Sequence, residues 1–237
     1  MRIPIASIAL CLLLLTVAAL AQQVSDAEIQ TEIQRRCGTS GTVSIQVQTG
    51  VVTLGGTVNS LARRLDIENK ARRTVGVKEV KSSITVVPDQ RVSDQELTSA
   101  VRKTLADNLS AAELKAIQFS VQNGVVTLTG TLRGSYPKQL AGNICSLVPG
   151  VIDVKNEIAV RPSKAQPDAD ILSDINTRFQ QNPLIPKQIN VSVANGVVTL
   201  KGTVDSFVQV DQAEAIARFT PGVIDVKNLL FVRNRRS

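Results

Sequence analysis

The 237-residue chain has no histidine, no tryptophan, one tyrosine, one methionine and three cysteines. Without histidine it lacks the side chain that most often serves as general base near neutral pH, and the commonest metal ligand. Carboxylates remain, but they fall on helix faces and strand ends beside lysine or arginine. Asp153 and Asp225 come closest to a repeated acidic position. Glu79 takes the corresponding place earlier in the chain, before a strand, where an acidic residue is ordinary. No catalytic residue, metal site or cofactor is expected. The scarcity of aromatics excludes the interfacial belt that seats a protein deep in a bilayer, so surface attachment is the membrane contact that remains. No apolar run beyond the N-terminus is long enough to span a bilayer, which takes about 20 residues.

What the chain does have begins at Met1 to Ala21, in the order of a secretory signal. One basic residue is followed by an apolar stretch from Ile5 to Val17, then Ala19-Leu20-Ala21 before polar Gln22. Residues 1–21 are read as a signal peptide that is removed, with a retained N-terminal anchor as the alternative. Cys11 lies inside the apolar run, upstream of where a lipoprotein's acylated cysteine would stand. The net charge is +7, which favours anionic partners, either nucleic acid or acidic lipid. Export argues against nucleic acid and leaves lipid head groups.

One unit occurs three times. Gly50-Val51-Val52-Thr53-Leu54 returns as Gly124-Val125-Val126-Thr127-Leu128 and as Gly196-Val197-Val198-Thr199-Leu200. A second marker, Gly76-Val77, Gly150-Val151 and Gly222-Val223, follows at the same distance in each copy. The period is too long for a solenoid repeat and each copy carries its own apolar pattern, so independent beads are expected in place of a stacked array.

Each copy opens with a helix. Ser25-Asp26-Ala27-Glu28 and Ser93-Asp94-Gln95-Glu96 are capping boxes, and the third helix starts at Asp168 without the glutamate. Apolar residues follow at helical spacing: Ile29 and Ile33; Leu97, Val101 and Leu105; Leu172, Ile175 and Phe179. Two alternating strands come next, joined at Thr49-Gly50, Asn123-Gly124 and Asn195-Gly196 as tight hairpins. Gly56, Gly130 and Gly202 recur at one inward site of the second strand, which suggests close approach by the crossing helix. A second helix ends at Gly76, Gly150 and Gly222, and a last strand alternates from Val77, Val151 and Val223. The fold class is α+β: three tandem α-β-β-α-β modules, each with two helices packed on one face of a three-stranded sheet. The expected domains are 22–88, 89–162 and 163–237, the last with a short basic tail. Cys145 is level with Ala71 and Ala217, small helix positions facing the sheet, so a buried free thiol is favoured over a bridge to Cys37.

The pattern resembles the BON domain, whose hallmark is a G-V-V-x-L-x-G-x-V hairpin followed by a helix and a G-V-x-x-V-x-N strand. Here these are Gly124 to Leu132 with Gly150 to Asn156, and Gly196 to Val204 with Gly222 to Asn228. Copy one matches from Gly50 to Val58 and at Gly76-Val77, but has Ser82 in place of the asparagine. The resemblance covers nearly all of the chain after the signal. It implies a non-enzymatic protein of the bacterial periplasm, like the osmotically inducible periplasmic members of that family. It also implies attachment to phospholipid membranes or support of envelope integrity.

The residues offer two basic sets for such contact. Arg63, Lys70 and Arg73 fall within one arc of a helical wheel beside the apolar face of the second helix. Lys81, Lys155 and Lys227 recur once per copy at one place on the last strand. For the first set an ordinary reading competes, because Asp66 precedes Lys70 by four and Glu68 precedes Arg72 by four, the spacing of surface ion pairs. The expected partner is an anionic phospholipid surface, bound peripherally. The rival is a chaperone or scaffold that engages envelope proteins through sheet edges or hairpins.

Overall fold

The computed structural model describes residues 24–38, 42–162 and 166–233. The expected signal peptide and the arginines of the tail beyond Arg233 lie outside the described residues. Module 1 comprises α1 (Asp26–Cys37), β1 (Val43–Gln48), β2 (Val51–Val58), α2 (Leu61–Arg72), β3 (Glu79–Ser82) and β4 (Thr85–Val86). Module 2 repeats this with α3 (Asp94–Asn108), an additional α4 (Ala111–Ala116), β5 (Ile117–Gln122), β6 (Val125–Leu132), α5 (Ser135–Ser146), β7 (Asp153–Asn156) and β8 (Ala159–Val160). Module 3 has α6 (Asp168–Gln181), β9 (Asn190–Ala194), β10 (Val197–Val204), α7 (Phe207–Arg218) and β11 (Asp225–Val232).

The opening helices form where their caps dictate. Ser25 Oγ accepts from the Glu28 N–H at 3.3 Å while Glu28 accepts from the Ser25 N–H at 3.0 Å, and Ser93 with Glu96 repeats the exchange. Ser110 and Glu113 make a third box, which starts α4. Helix α6 follows Pro167 with no side-chain cap bond. Its buried stripe is Ile171, Ile175 and Phe179, so Ile171 takes the place expected for Leu172, which is half-buried. With no cap to fix the first turn, the sequence left the helical phase open by one residue.

In every module the second strand is central. It pairs antiparallel with the first and parallel with the last, at one repeated register: Val51 opposite Glu79, Val125 opposite Asp153, Val197 opposite Asp225. The last strand is interrupted in modules 1 and 2, where β3 and β4, or β7 and β8, keep the same register on either side of the gap. Ser83 and Glu157 bridge the gap by donating to the Leu54 and Leu128 carbonyls at 2.8 Å. In module 3 the ladder runs unbroken to Val232.

Both residues of each hairpin turn have positive φ: Thr49 and Gly50, Asn123 and Gly124, Asn195 and Gly196. This is the mirror-image turn that matches strand twist. Gly56, Gly130 and Gly202 also have positive φ, but the close neighbour is not the crossing helix. A Cβ at these sites would meet the Thr42, Ala116 and Gln188 carbonyls, just before the first strand begins. The expected helix contact is therefore corrected to a backbone contact at the open end of the hairpin.

The modules are not independent beads. Leu61 and Val86 of module 1 belong to the same buried cluster as Leu97, Val126 and Leu128 of module 2, with Val58 and Leu65 packed against it. The N-terminal half of α2 lies over α5 and β7, where Arg64 pairs with Asp153 at 2.8 Å. The start of α5 meets the end of α7: Ser135 donates to the Arg218 carbonyl at 3.2 Å, and the Tyr136 and Phe219 rings lie 4.6 Å apart. Asp211 on α7 then pairs with Arg73 at the end of α2. The three second helices thus follow one another head to tail in a closed cycle.

Candidate functional site

Two sets of polar side chains set the geometry of each sheet. The first residue of each opening helix is an aspartate, and its carboxylate accepts both turn amides of the hairpin. Asp26 takes Thr49 and Gly50 at 2.6 and 2.8 Å, Asp94 takes Asn123 and Gly124 at 2.7 and 2.9 Å, and Asp168 takes Asn195 and Gly196 at 2.7 and 2.8 Å. A carboxylate there also meets the positive end of the helix dipole. The second set explains the asparagine of the last strand. Asn156 and Asn228 accept from the N–H two residues on, Ile158 at 3.4 Å and Leu230 at 3.2 Å, and donate to the second helix through Lys138 O at 2.7 Å and Glu214 at 2.9 Å. Ser82 accepts from Ile84 at 3.5 Å in their place.

Arg63, Lys70 and Arg73 are brought together on α2, and each is engaged by another group. Arg63 and Lys70 converge on Asp66 at 3.1 and 2.9 Å. Arg63 also donates to the Cys37 carbonyl, and Arg73 pairs with Asp211 of module 3. Arg72 and Glu68 form the other pair expected from their spacing, at 3.6 Å. Arg36 of α1 closes the same helix end by donating to Arg73 O at 2.6 Å. This is a common way to satisfy terminal helix carbonyls.

Lys81, Lys155 and Lys227 have a different setting. Their neighbours Val80, Val154 and Val226 pack toward the helices, so the lysines project from the opposite, outer face of each sheet. All three are exposed. Across the sheet each stands at the end of a polar row: Gln46, Thr53 and Lys81; Ser120, Thr127 and Lys155; Ser192, Thr199 and Lys227. Lys81 lies 4.0 Å from Glu79, with both side chains more than half exposed. Lys155 and Lys227 have no ion-pair partner among the described residues. The rows were missed in the sequence because they need the cross-strand register.

Cys37 and Cys145 are both free and buried. Burial pushes the Cys145 thiol up to about 12 and raises that of Cys37 as well. Each therefore stays protonated near neutral pH and acts as a small apolar side chain. No group of three or more histidine, cysteine or acidic side chains that could hold a metal occurs among the described residues. No helix among them is long and apolar enough to cross a membrane.

Three α-β-β-α-β modules joined through their second helices define a tandem-repeat α+β protein. The BON domain model matches three times, over residues 25–88, 93–162 and 167–234, and the chain belongs to the BON-domain family. Osmotically-inducible protein Y of Escherichia coli strain K12 is 32% identical over 146 residues, 58% of this chain and 71% of that protein. An uncharacterized protein in the gshII 5′ region of Anaplasma centrale is 28% identical over 148 residues, 60% of this chain and 98% of that one. Among solved structures, the C-terminal domain of CdsD, a structural protein of the type III secretion system of Chlamydia trachomatis, aligns with 88% of this chain and 99% of its own. The identity is 16% and the TM-score 0.24, too low to carry an argument.

Proposed function

We propose that this is a non-enzymatic, periplasmic envelope protein that attaches peripherally to anionic phospholipid and serves the response to osmotic stress or the integrity of the envelope. The observation that carries this reading is the exposed lysine at the end of a hydroxyl- and amide-bearing row on the outer face of all three sheets. A phosphate head group is met by such a surface with one cation and neighbouring hydrogen-bond donors. Each lysine that reaches an anionic leaflet contributes about 1 kcal/mol to partitioning. The similarity to an osmotically inducible protein supports the physiological part of the reading.

Flotation of the mature protein with vesicles tests it. Binding to phosphatidylglycerol-containing vesicles at low salt, weakening as salt rises and absent from neutral vesicles, is the expected result, because exposed charges are screened beyond about 10 Å at 0.1 M salt. No binding to anionic vesicles at low salt overturns the reading. Salt-insensitive capture of unfolded outer-membrane protein in its place would favour the chaperone or scaffold.

A further inference from the structure

We infer that the third module carries the part of this surface that enters the bilayer, through Leu229 and Phe231 on the outer face of β11. The inference rests on the lipid-binding reading and adds a place and a mode to it. The two positions that follow the repeated lysine on the outer face are Ser83 and Thr85 in module 1, Glu157 and Ala159 in module 2, and Leu229 and Phe231 in module 3. The register is the same in all three, so the residues are equivalent and only their chemistry differs. Leu229 is 50% exposed and Phe231 55% exposed, although an outward strand position leaves every other outer-face residue of the central and last strands of module 3 polar from Thr199 and Lys227 onward.

Charge selects the occupant. Leu229 stands opposite Lys201 on β10, and Phe231 stands opposite Thr203. Lys227 precedes the pair on its own strand and Arg233 follows it. Both lysines are exposed. The acidic groups nearby are matched already, Asp225 with Arg218 at 3.7 Å and Asp205 with Arg233 at 3.1 Å. Two apolar side chains flanked by lysines fit an anionic bilayer surface, with the rings and branches below the head groups and the ammonium groups at phosphate level. Module 2 holds a carboxylate, Glu157, where module 3 holds Leu229, and a carboxylate at that depth would be repelled. Contact by module 3 is therefore shallow and apolar as well as electrostatic, whereas modules 1 and 2 offer electrostatics alone.

The chain has no tryptophan, so Phe231→Trp creates a lone reporter at the proposed depth. With the full mature protein on phosphatidylglycerol vesicles, its emission should shift to the blue and be quenched by lipids brominated near the head-group end of the acyl chain. Leu229→Ser with Phe231→Thr, which gives module 3 the residues of module 1, should weaken partitioning about tenfold and leave the remaining binding more salt-sensitive. Its thermal unfolding should match the parent, since both side chains are exposed. Vesicle binding without a blue shift, or with partitioning unchanged in the double variant, overturns this inference and leaves the lipid reading standing. Failure of the unmodified protein to bind anionic vesicles overturns both.

Discussion

The basic side chains of α2 and those of the last strands carry the same charge in opposite circumstances. On α2, Arg63 and Lys70 share Asp66, and Arg73 reaches across to Asp211 of another module. On β3, β7 and β11, Lys81, Lys155 and Lys227 are exposed on the outer sheet face, where Lys81 lies 4.0 Å from Glu79 and the other two have no ion-pair partner among the described residues. A count of cations along the chain treats the two sets alike. The fold separates them, because an engaged cation must give up its partner before it can bind a ligand, whereas an exposed one gives up only water. Of the helix set, Arg73 ties module 1 to module 3, and under the lipid reading the strand set is the one proposed to meet the anionic surface.

Breaking the cycle where it is most buried should have the largest effect. Arg64 is the base of α2 that lies deepest in the junction, pairing with Asp153 at 2.8 Å and lying 3.9 Å from Glu68, whose side chain is 12% exposed. Arg64→Ala should lower unfolding stability by about 1–2 kcal/mol, since it removes the ion partner of Asp153 across the junction and leaves Glu68 with Arg72 alone. A urea midpoint measures this. If the midpoint is unchanged, the junction between modules 1 and 2 is not a structural contact. A smaller effect, about 1 kcal/mol, is expected for Asp66→Asn, because Arg63 and Lys70 are over one-third exposed and exposed pairs are weak. That variant should also bind anionic vesicles a fewfold more tightly, as Lys70 is released while Arg63 keeps its bond to the Cys37 carbonyl. Asp211→Asn should cost the least, on the order of 0.5 kcal/mol, because both members of the Arg73 pair are about half exposed. Its mark should be faster proteolytic separation of module 3 from modules 1 and 2. An effect larger than that of Arg64→Ala would reverse the ranking of the two junctions.

What could be read in the sequence was local. The capping boxes at Ser25 and Ser93 and the hairpins at Asn123-Gly124 and Asn195-Gly196 depend on residues within four positions of one another, and each forms as its spacing implies. The box at Ser110 and Glu113 is equally local, three residues apart, and starts α4. Contacts made by chain return were out of reach. The Asp94 carboxylate meets the Asn123 amide only because β5 brings the hairpin back to the start of α3. The recurrence of Gly130 marks a close approach, but the approaching atom, the Ala116 carbonyl, is fixed by strand register and is not legible in the sequence. The same limit governs the candidate site. The recurrence of Lys81, Lys155 and Lys227 was visible, whereas their hydroxyl and amide neighbours were not. Nor could the sequence reveal that the partner of Arg73 comes from a module more than a hundred residues away.

The central claim is that the strand lysines, and not the helix cations, form the anion-facing surface. Two triple variants of equal charge change decide it: Lys81, Lys155 and Lys227 to glutamine, and Arg63, Lys70 and Arg73 to glutamine. With phosphatidylglycerol vesicles at low salt, the strand variant should lose most of its salt-sensitive binding, about fivefold for each lysine that reaches the leaflet, while the helix variant keeps it. Equal loss in both would mean that net charge alone governs binding, and a larger loss in the helix variant would contradict the account.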